Sequence, residues 1–250
     1  MKVEEDYSDV TIIAITPTHR KPQRLADITR LSQTLMHVKN LHWIVVEDDN
    51  KTSVAVERIL YRSGIPYVYL HTTTEKGVPS RGWAHRNLAI KYAIDNYKPG
   101  RKAVLYFADD DNTYDIRLFD KYIRRVKNIG FWAVGLSGSA KVEAPKVNES
   151  GTIVAWDVVF APKRDFAIDM AGFAVNMKLM HKTKPSFNKQ CQKEYKVGPE
   201  TCFLKQFGLK KEKLEPFGWD DKPKEILVWH TQTVKTKKTN GADHGYIFEA

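Results

Sequence analysis

The sequence predicts an α/β protein built on a doubly wound, mostly parallel β-sheet. In the first half of the chain, short apolar runs alternate with segments whose apolar residues recur every three or four positions. This alternation of strands and helices is typical of parallel sheets with right-handed crossover connections. Polar and acidic residues directly follow three of the apolar runs, which is where open α/β sheets bind their ligands. We therefore expect a ligand site at the carboxyl ends of the strands.

Four strands and four helices are predicted in the first half. The strands are runs rich in β-branched and aromatic residues, at residues 10–15, 43–46, 67–70 and 103–108. Apolar residues at helical spacing indicate the first helix (Leu25, Ile28, Leu31, Leu35 and Val38) and the fourth (Ile116, Phe119, Ile123 and Val126). The second and third helices, at 54–62 and 83–96, are each followed by a glycine and a proline, which end helices.

The second half of the chain has a less regular pattern. Strands are predicted at residues 131–136 and 153–160, with a loop around Pro145 and Asn148 between them. A turn of small residues at 169–172 leads into an apolar strand, residues 201–207 form a helix, and residues 226–229 form a last buried strand. We divide the chain into residues 10–135, 136–235 and a C-terminal tail at 236–250, and expect the first two to share one compact body.

Composition and charge exclude several classes of protein. The chain has 250 residues, of which 42% are hydrophobic, and its 11 Tyr, 11 Phe and 6 Trp argue against disorder. No apolar run approaches the roughly 18 residues of a membrane span, so we expect a soluble chain. The net charge of +10 suits an anionic partner, but no zinc-finger or RNA-binding signature is present, so we do not expect nucleic acid. Cys191 and Cys202 could pair or be two free thiols.

The acidic run Asp109, Asp110 and Asp111 directly follows a predicted buried strand. Three adjacent carboxylates repel one another, and their pKa values rise unless a positive charge lies among them. Mg²⁺ or Mn²⁺ bridging to a phosphorylated ligand is the usual source of that charge. For the acidic run taken alone, the alternative is a solvated turn.

Two further strand ends are also polar, and they support a ligand site. Residues 16–19 follow the first strand, and Glu47, Asp48 and Asp49 follow the second, so three strand ends are expected to converge on one crevice. Neither GxGxxG nor GxxxxGK[ST] occurs in the chain. Positive charge for a phosphate must therefore come from a metal ion together with Arg or Lys side chains, and Arg81 and Arg86, at the start of the third helix, are well placed to supply it. Taken singly, each arginine could also be ordinary surface charge.

Five blocks of sequence occur at residues 15–18, 41–48, 104–114, 166–176 and 226–231, and they include YFADDDNTY and DMAGFAV. Together they resemble the animal β-1,3-glucuronyltransferase family, over about residues 10–233. The resemblance implies a GT-A-type fold, with a Rossmann-like sheet in the nucleotide-sugar-binding first half and a mixed second half that binds the acceptor. It also implies an inverting enzyme that uses Mn²⁺ to move glucuronate from UDP-glucuronate to a galactose-terminated glycan of a proteoglycan linkage region or glycoprotein, in β-1,3 linkage. A homodimer in the Golgi membrane is expected as well, held by an N-terminal anchor outside this chain.

The resemblance also assigns roles to single residues by position. Asp111 would bind the metal, Asp48 would accept the uracil N–H, and Glu200 would be the catalytic base, with Asp169 as its rival. The residues that would bind the UDP-sugar are Pro17, Thr18, His19, Asp48, Arg81, Arg86, Asp109, Asp110, His230 and Gln232. The residues that would contact the acceptor sugar or the glucuronate are Glu143, Phe160, Arg164 and Asp169.

Three positions depart from the family pattern. His19 stands where a tyrosine usually stacks on uracil, Gln232 where an arginine lies near the diphosphate, and Phe160 where a tryptophan can stack on galactose. These changes leave two other interpretations open. One is a related transferase with another donor such as UDP-xylose, and the other is a non-catalytic glycan- or nucleotide-binding protein. The intact acidic run together with Glu200 favours an enzyme, because a binding protein needs no base.

Overall fold

The computed structural model describes residues 6–74, 82–188, 191, 198–234 and 244–247, which contain two β-sheets and flanking helices. The strands are β1 (Thr11–Thr18), β2 (Leu41–Asp48), β3 (Tyr67–Thr72), β4 (Ala103–Phe107), β5 (Thr113–Tyr114), β6 (Ile129–Phe131), β7 (Val134–Gly135), β8 (Val142–Val147), β9 (Ile153–Asp157), β10 (Phe173–Asn176), β11 (Leu214–Pro216) and β12 (Val228–Trp229). The α-helices of these residues are α1 (Arg24–Leu35), α2 (Val54–Ser63), α3 (Trp83–Asn96), α4 (Arg117–Lys121), α5 (Met177–Thr183) and α6 (Pro199–Lys205). None of the helices described here has the length and apolar character needed to cross a membrane.

The larger sheet is mostly parallel, as the sequence predicts. Within the described ranges its strand order is β11-β6-β10-β4-β1-β2-β3, and β1 pairs in parallel with both β2 and β4. β10 lies between β4 and β6 and is antiparallel to both. Because β10 and β11 come from the predicted second half, the two halves share this sheet. The proposed domain boundaries themselves stay a prediction.

The central strands are apolar on both faces, which is why helices cover both sides of the sheet. In β1, Ile12 and Ala14 belong to one hydrophobic core, whereas Ile13 and Ile15 belong to the other, as expected from the alternation of side chains along a strand. Residues of α1 and α2 pack into the first core, and residues of α3 pack into the second. The strand ends are thereby held in a rigid scaffold.

Three details of the sequence-based prediction are wrong. Residues 131–136 do not form one strand, because β6 belongs to the larger sheet and β7 to a smaller sheet with the order β5-β12-β7-β8-β9 in the described chain. Pro145 lies within β8 rather than in a loop. Of the residues of β8, only Val142 and Glu143 pair with β7, so within the described residues Pro145 pairs with β9 alone, where a missing N–H is tolerated. Ile116 precedes α4 and is exposed, and the helix is short.

The two cysteines form a disulfide, which settles the alternatives left open by the sequence. Cys191 is bonded to Cys202, 11 residues further along the chain. Cys202 lies in α6, two residues after Glu200, and both cysteines belong to the second hydrophobic core. The bond therefore ties the helix that carries Glu200 to a buried part of the fold.

Packing around α6 leads to a stability prediction. Phe203 is fully buried and its ring stacks on Phe187 with the ring centroids 4.9 Å apart, whereas Phe160 is 51% exposed. We expect Phe203→Ala to lower the free energy of unfolding by about 3–5 kcal/mol because it leaves a cavity. Phe160→Ala, the same substitution at an exposed site, should cost less than about 1 kcal/mol. Urea unfolding followed by tryptophan fluorescence measures both, and equal losses would contradict this assignment of the core.

Candidate active site

Two adjoining cavities lie at the carboxyl ends of the central strands. The strand-end cavity, of about 400 Å³, is lined by Pro17, Thr18, His19, Lys21, Asp48, Gly82, His85, Arg86, Asp109, Asp110 and Asp111. The helix-end cavity, of about 690 Å³, lies at the start of α6, and the lining residues that carry polar chemistry are Arg86, Asp109, Ser137, Glu143, Arg164, Asp169, Glu200 and His230. Arg86 and Asp109 line both cavities, so a ligand in one can reach the other.

Each carboxylate of the acidic run has a different environment. Asp109 accepts a hydrogen bond of 2.5 Å from Arg86 Nη2. Asp110 is buried and accepts from Thr18 Oγ1 at 3.0 Å and from Lys21 Nζ at 3.2 Å. Asp111 lies 3.8 Å from the same lysine, and its side chain is 28% exposed. The run is therefore divided into two anchored carboxylates and one that is open to the cavity.

Lys21 is a functional candidate that sequence reasoning missed. It lies in the loop between β1 and α1, and its ammonium group is surrounded by Asp27, Asp110 and Asp111. These carboxylates raise the pKa of Lys21, even though its partial burial acts in the opposite direction. In the sequence, only the position of Lys21, two residues after His19 at a strand end, indicates a place in the site. The partners of Lys21 could not be predicted, because they come from α1 and from the loop after β4.

The charges around Asp111 fit a divalent cation that is bound both by this carboxylate and by the phosphate oxygens of a ligand. Burial raises the pKa of Asp110 to about 6, with Lys21 opposing this and Asp111 adding to it. Burial also raises the pKa of Asp111, again opposed by Lys21. No group of three or more His, Cys, Asp or Glu side chains in the described residues is arranged as a metal site. Mg²⁺ and Mn²⁺ bound with phosphates often take only one or two carboxylates, so Asp111 is a suitable single protein ligand.

The polar end of β2 is divided between the two faces of the sheet. Asp48 faces the strand-end cavity, with its Oδ1 3.2 Å from His85 Nε2. Glu47 is buried and pairs with Arg24 and Tyr69 instead. The end of β2 therefore reaches the crevice through Asp48, as expected, while Glu47 points to the opposite face because successive side chains of a strand alternate. His85 is a second cavity residue to which the sequence assigned no role.

Glu200 lies in the first turn of α6 and faces the helix-end cavity. Burial raises the pKa of Glu200 to about 7, and the negative charge of Asp169 adds to this effect. Arg164 Nη1 lies 3.6 Å from Glu200 Oε2. Gly198, which precedes the helix, has a φ of +89°, and a Cβ there would come within 2.4 Å of Arg164 Nη1. Glycine is required at this position, because a side chain would displace the arginine.

Asp169, the rival candidate for a base, has a carboxylate held by three polar contacts. It accepts hydrogen bonds from the Ala171 N–H at 2.8 Å and from Ser137 Oγ at 3.0 Å, and its Oδ2 lies 2.8 Å from His230 Nδ1. Burial acts to raise the pKa of Asp169, but His230 and these donors lower it overall. Asp169 in turn raises the pKa of His230 to about 9. A carboxylate held in this way is a weak base, whereas Glu200 titrates near neutral pH.

The structure brings together nearly all of the predicted site residues. Those lining the strand-end cavity are Pro17, Thr18, His19, Asp48, Arg86, Asp109, Asp110 and Asp111. Those lining the helix-end cavity are Glu143, Phe160, Arg164, Asp169, Glu200 and His230. Gln232 is exposed and lines neither cavity. Arg81 lies outside the described residues, so the roles of both Arg81 and Gln232 stay predictions.

Comparison with known proteins decides the family. The model for glycosyltransferase family 43 matches residues 31–234, which is most of the chain. The chain belongs to glycosyltransferase family 43. It is 37% identical over 248 residues to the human galactosylgalactosylxylosylprotein 3-beta-glucuronosyltransferase 1, with 94% of this chain and 73% of the human protein covered. It is 38% identical over 237 residues to the Caenorhabditis elegans galactosylgalactosylxylosylprotein 3-beta-glucuronosyltransferase sqv-8, covering 90% of this chain and 65% of that protein. The family suggested by the sequence blocks is confirmed.

Solved structures show the fold of this family 43 chain. The crystal structure of S. aureus TarS 1-349 has a TM-score of 0.55 and 14% identity, and covers 89% of this chain and 60% of that one. The complex of TarS 1-349 with UDP-GlcNAc has a TM-score of 0.52 and 13% identity, and covers 95% and 62%. The predicted GT-A-type α/β fold is confirmed by this likeness.

The pair of Asp169 and His230 leads to a prediction about charge. We expect His230 to stay protonated through pH 8 and Asp169→Asn to lower its pKa from about 9 towards 6.5. Because the folded-state pKa is raised, the stability gained from this pair is fully present below about pH 6.5 and is lost as the pH rises through about 9. NMR titration of the histidine rings measures this, with Asp165→Asn, a surface carboxylate paired with Lys205, as the control. An unchanged His230 pKa in Asp169→Asn would contradict the pairing.

Proposed function

We propose that this protein is an inverting, Mn²⁺-dependent β-1,3-glucuronosyltransferase that moves glucuronate from UDP-glucuronate to the terminal galactose of a glycan. One observation carries the proposal: the acidic run and Glu200 lie in two cavities that share Arg86 and Asp109. A nucleotide in the strand-end cavity would place its sugar at this shared wall. The acceptor in the helix-end cavity would then approach the sugar from the side opposite the diphosphate, as inversion requires.

The relatives' names support the donor and the acceptor. Both the human and the C. elegans relative are named 3-beta-glucuronosyltransferases acting on a galactosylgalactosylxylosyl protein. Arg86, Arg164 and His230 line the helix-end cavity together with Asp109, Glu143, Asp169 and Glu200. A glucuronate carboxylate could pair with one of these three cations, whereas xylose has no such group, so a pairing of this kind would favour UDP-glucuronate over UDP-xylose.

Glu200 is the general base in the proposed reaction. Direct inversion needs a base that removes the proton of the acceptor hydroxyl while that oxygen attacks the anomeric carbon. A carboxylate with a pKa of about 7 is partly ionised at neutral pH and is a stronger proton acceptor than an ordinary glutamate. Asp169 has the lower pKa of the two and is committed to His230, Ser137 and the Ala171 N–H. The proposed role of Asp169 is to hold His230 and to accept a hydrogen bond from a sugar hydroxyl.

The departing UDP needs positive charge near its phosphates. Arg86 lies between the two cavities and is held by Asp109, so its guanidinium is placed where the diphosphate would separate from the sugar. Thr18 and Lys21 hold Asp110 in place behind Asp111. A divalent cation bound at Asp111 would supply further positive charge to the leaving diphosphate.

Phe160 provides a surface for the acceptor sugar. Its ring is 51% exposed in the helix-end cavity, and Arg164 lies against it with the guanidinium carbon 5.0 Å from the ring centroid. An exposed aromatic ring can pack against the apolar face of a galactose. Glu143 is buried beside it, and burial raises the pKa of Glu143, so this carboxyl is suited to a hydrogen bond with a sugar hydroxyl.

We extend the proposal to the location and the assembly of the protein. The family resemblance supports a catalytic domain in the Golgi lumen and a homodimer. Size-exclusion chromatography with light scattering tests the dimer, and tagged full-length protein imaged in cells tests the location.

Donor turnover is the direct test of the proposed function. Purified protein should release UDP from UDP-glucuronate in the presence of a galactose-terminated acceptor and Mn²⁺, and should do so much less with a chelator. UDP-xylose and UDP-GlcNAc should be turned over poorly. Asp111→Asn should remove the response to Mn²⁺, because the metal loses its protein charge. Faster turnover of UDP-xylose would support the alternative donor, and binding of UDP without any turnover would support a non-catalytic role.

The base assignment predicts a specific kinetic change. Glu200→Gln should lower kcat by roughly 10²–10⁴ and leave UDP affinity unchanged, which is the range for one general base. In the wild type, kcat should rise with pH through about 7, because Glu200 must be ionised to accept the proton. That rise should be absent in Glu200→Gln. Glu212→Gln, at an exposed glutamate, is the matched control.

Asp169→Asn separates the two candidate bases. It should raise KM more than it lowers kcat, because Asp169 is assigned to binding. A deep loss of kcat in Asp169→Asn, together with a normal kcat in Glu200→Gln, would reverse the two roles.

A further inference from the structure

We propose that Lys21 is a further donor-binding residue, whose ammonium group binds the diphosphate of the UDP-sugar and is positioned by Asp27. The proposal deepens the function proposed above and rests on it. It begins from the location of Lys21, which lines the strand-end cavity between the side chains that follow β1 and the acidic run after β4. Lys21 lies outside the acidic run and outside the five sequence blocks that carry the family resemblance.

The hydrogen-bonding capacity of Lys21 is not exhausted by its protein partners. Its Nζ forms an ion pair with Asp27 Oδ2 at 3.0 Å and donates a hydrogen bond to Asp110 Oδ1 at 3.2 Å, so these two carboxylates use at most two of the three ammonium hydrogens. Asp111 Oδ2 is 3.8 Å away, beyond hydrogen-bonding distance. The side chain is 18% exposed and lines the cavity, so at least one N–H that these described carboxylates leave unused can reach a ligand there.

Asp27 fixes the position of this ammonium group. The side chain of Asp27 is fully buried in α1; it forms an ion pair with Lys21 and accepts hydrogen bonds from Arg30 Nη2 at 2.7 Å and Thr233 Oγ1 at 2.6 Å. Lysine has a long, flexible side chain that would otherwise lose much conformational freedom on binding a phosphate. Because Asp27 is itself held by two other donors, it restricts the Lys21 side chain before the phosphate binds and so reduces the conformational entropy that is lost on binding.

The charge balance of the strand-end cavity requires a cation such as Lys21. Four of its lining residues are aspartates, at positions 48, 109, 110 and 111, and the lining lysine and arginine are Lys21 and Arg86. Arg86 is engaged by Asp109, and Gln232 is uncharged and exposed. A diphosphate adds negative charge to this cavity. Lys21 can reduce the repulsion between the aspartates and the diphosphate even before a metal ion binds, because it lies beside the partly exposed carboxylate of Asp111.

Isothermal titration with UDP and with uridine tests the role, using the whole chain in Mn²⁺ and in chelator. Lys21→Gln should weaken UDP binding about tenfold, as expected for one charge-assisted hydrogen bond, and should leave uridine binding unchanged. Lys21→Arg should recover part of the loss. Asp27→Asn should weaken UDP binding selectively as well, because the amide holds the ammonium group less firmly. Arg20→Gln is the matched control, since Arg20 is the adjacent cation and lines a different cavity.

The outcomes distinguish this proposal from the proposed function. UDP binding by the wild type with an unchanged affinity in Lys21→Gln would overturn the role of Lys21 and leave the nucleotide site intact. Equal losses of UDP and uridine would also overturn it, because they indicate a structural role. Tighter Mn²⁺ binding with normal UDP affinity would show that Lys21 only neutralises the aspartates, again against the proposal. If the wild type bound no UDP, the proposed function would fail first and this inference with it.

Discussion

Repulsion between neighbouring carboxylates is the constraint on which this site depends. Asp109, Asp110 and Asp111 follow a strand that is buried along its whole length, and Asp110 is itself buried, so water screens their mutual repulsion only in part. Each carboxylate is stabilised in a different way. Asp109 accepts a hydrogen bond from Arg86, Asp110 accepts from Thr18 and Lys21, and Asp111 is partly exposed. An acidic run that would destabilise an ordinary turn is thereby kept ready to bind a cation and a phosphate.

Strand order explains how the partners of the acidic run come to be there. β1 lies between β4 and β2, so Thr18 at the end of β1 is next to both the acidic run and Asp48. The Ala108 N–H continues the pairing by donating to the Ile15 carbonyl, which holds the start of the acidic run against β1. Thr231 Oγ1 donates to the Asp111 carbonyl at 2.6 Å, so the segment after β12 closes over the same edge. Charge placement in the site is therefore a consequence of sheet topology.

Asp169 and Glu200 show how environment separates two residues of the same chemical type. Both carboxylates line the helix-end cavity, but Asp169 is paired with His230 and has a lowered pKa, whereas burial raises that of Glu200 to about 7. The negative charge of Asp169 contributes to the raised pKa of Glu200. Asp169 thus helps to define the role of Glu200: Asp169 is held as an anion, and Glu200 can exchange a proton near neutral pH.

The sequence by itself determined the strands and helices of the first half and the family. Hydrophobic spacing located α3 at its observed bounds, and blocks such as DMAGFAV carried the family resemblance. These features are local, because periodicity and short motifs lie within a few neighbouring residues. Half of the predicted site residues lie in these blocks, and several of them are polar residues at strand ends, which converge in a parallel sheet.

Only the tertiary structure decided how those residues are paired. The antiparallel insertion of β10, the disulfide between Cys191 and Cys202, and the contact of Lys21 with Asp27 and Asp110 join segments that are separate in the chain. The pKa values of Glu200 and His230 likewise depend on burial and on charges brought by other elements. Long-range contacts produce no periodic pattern in a single sequence. The sequence could therefore identify the carboxylates of the site, but which of them acts as base, anchor or metal ligand depends on the fold.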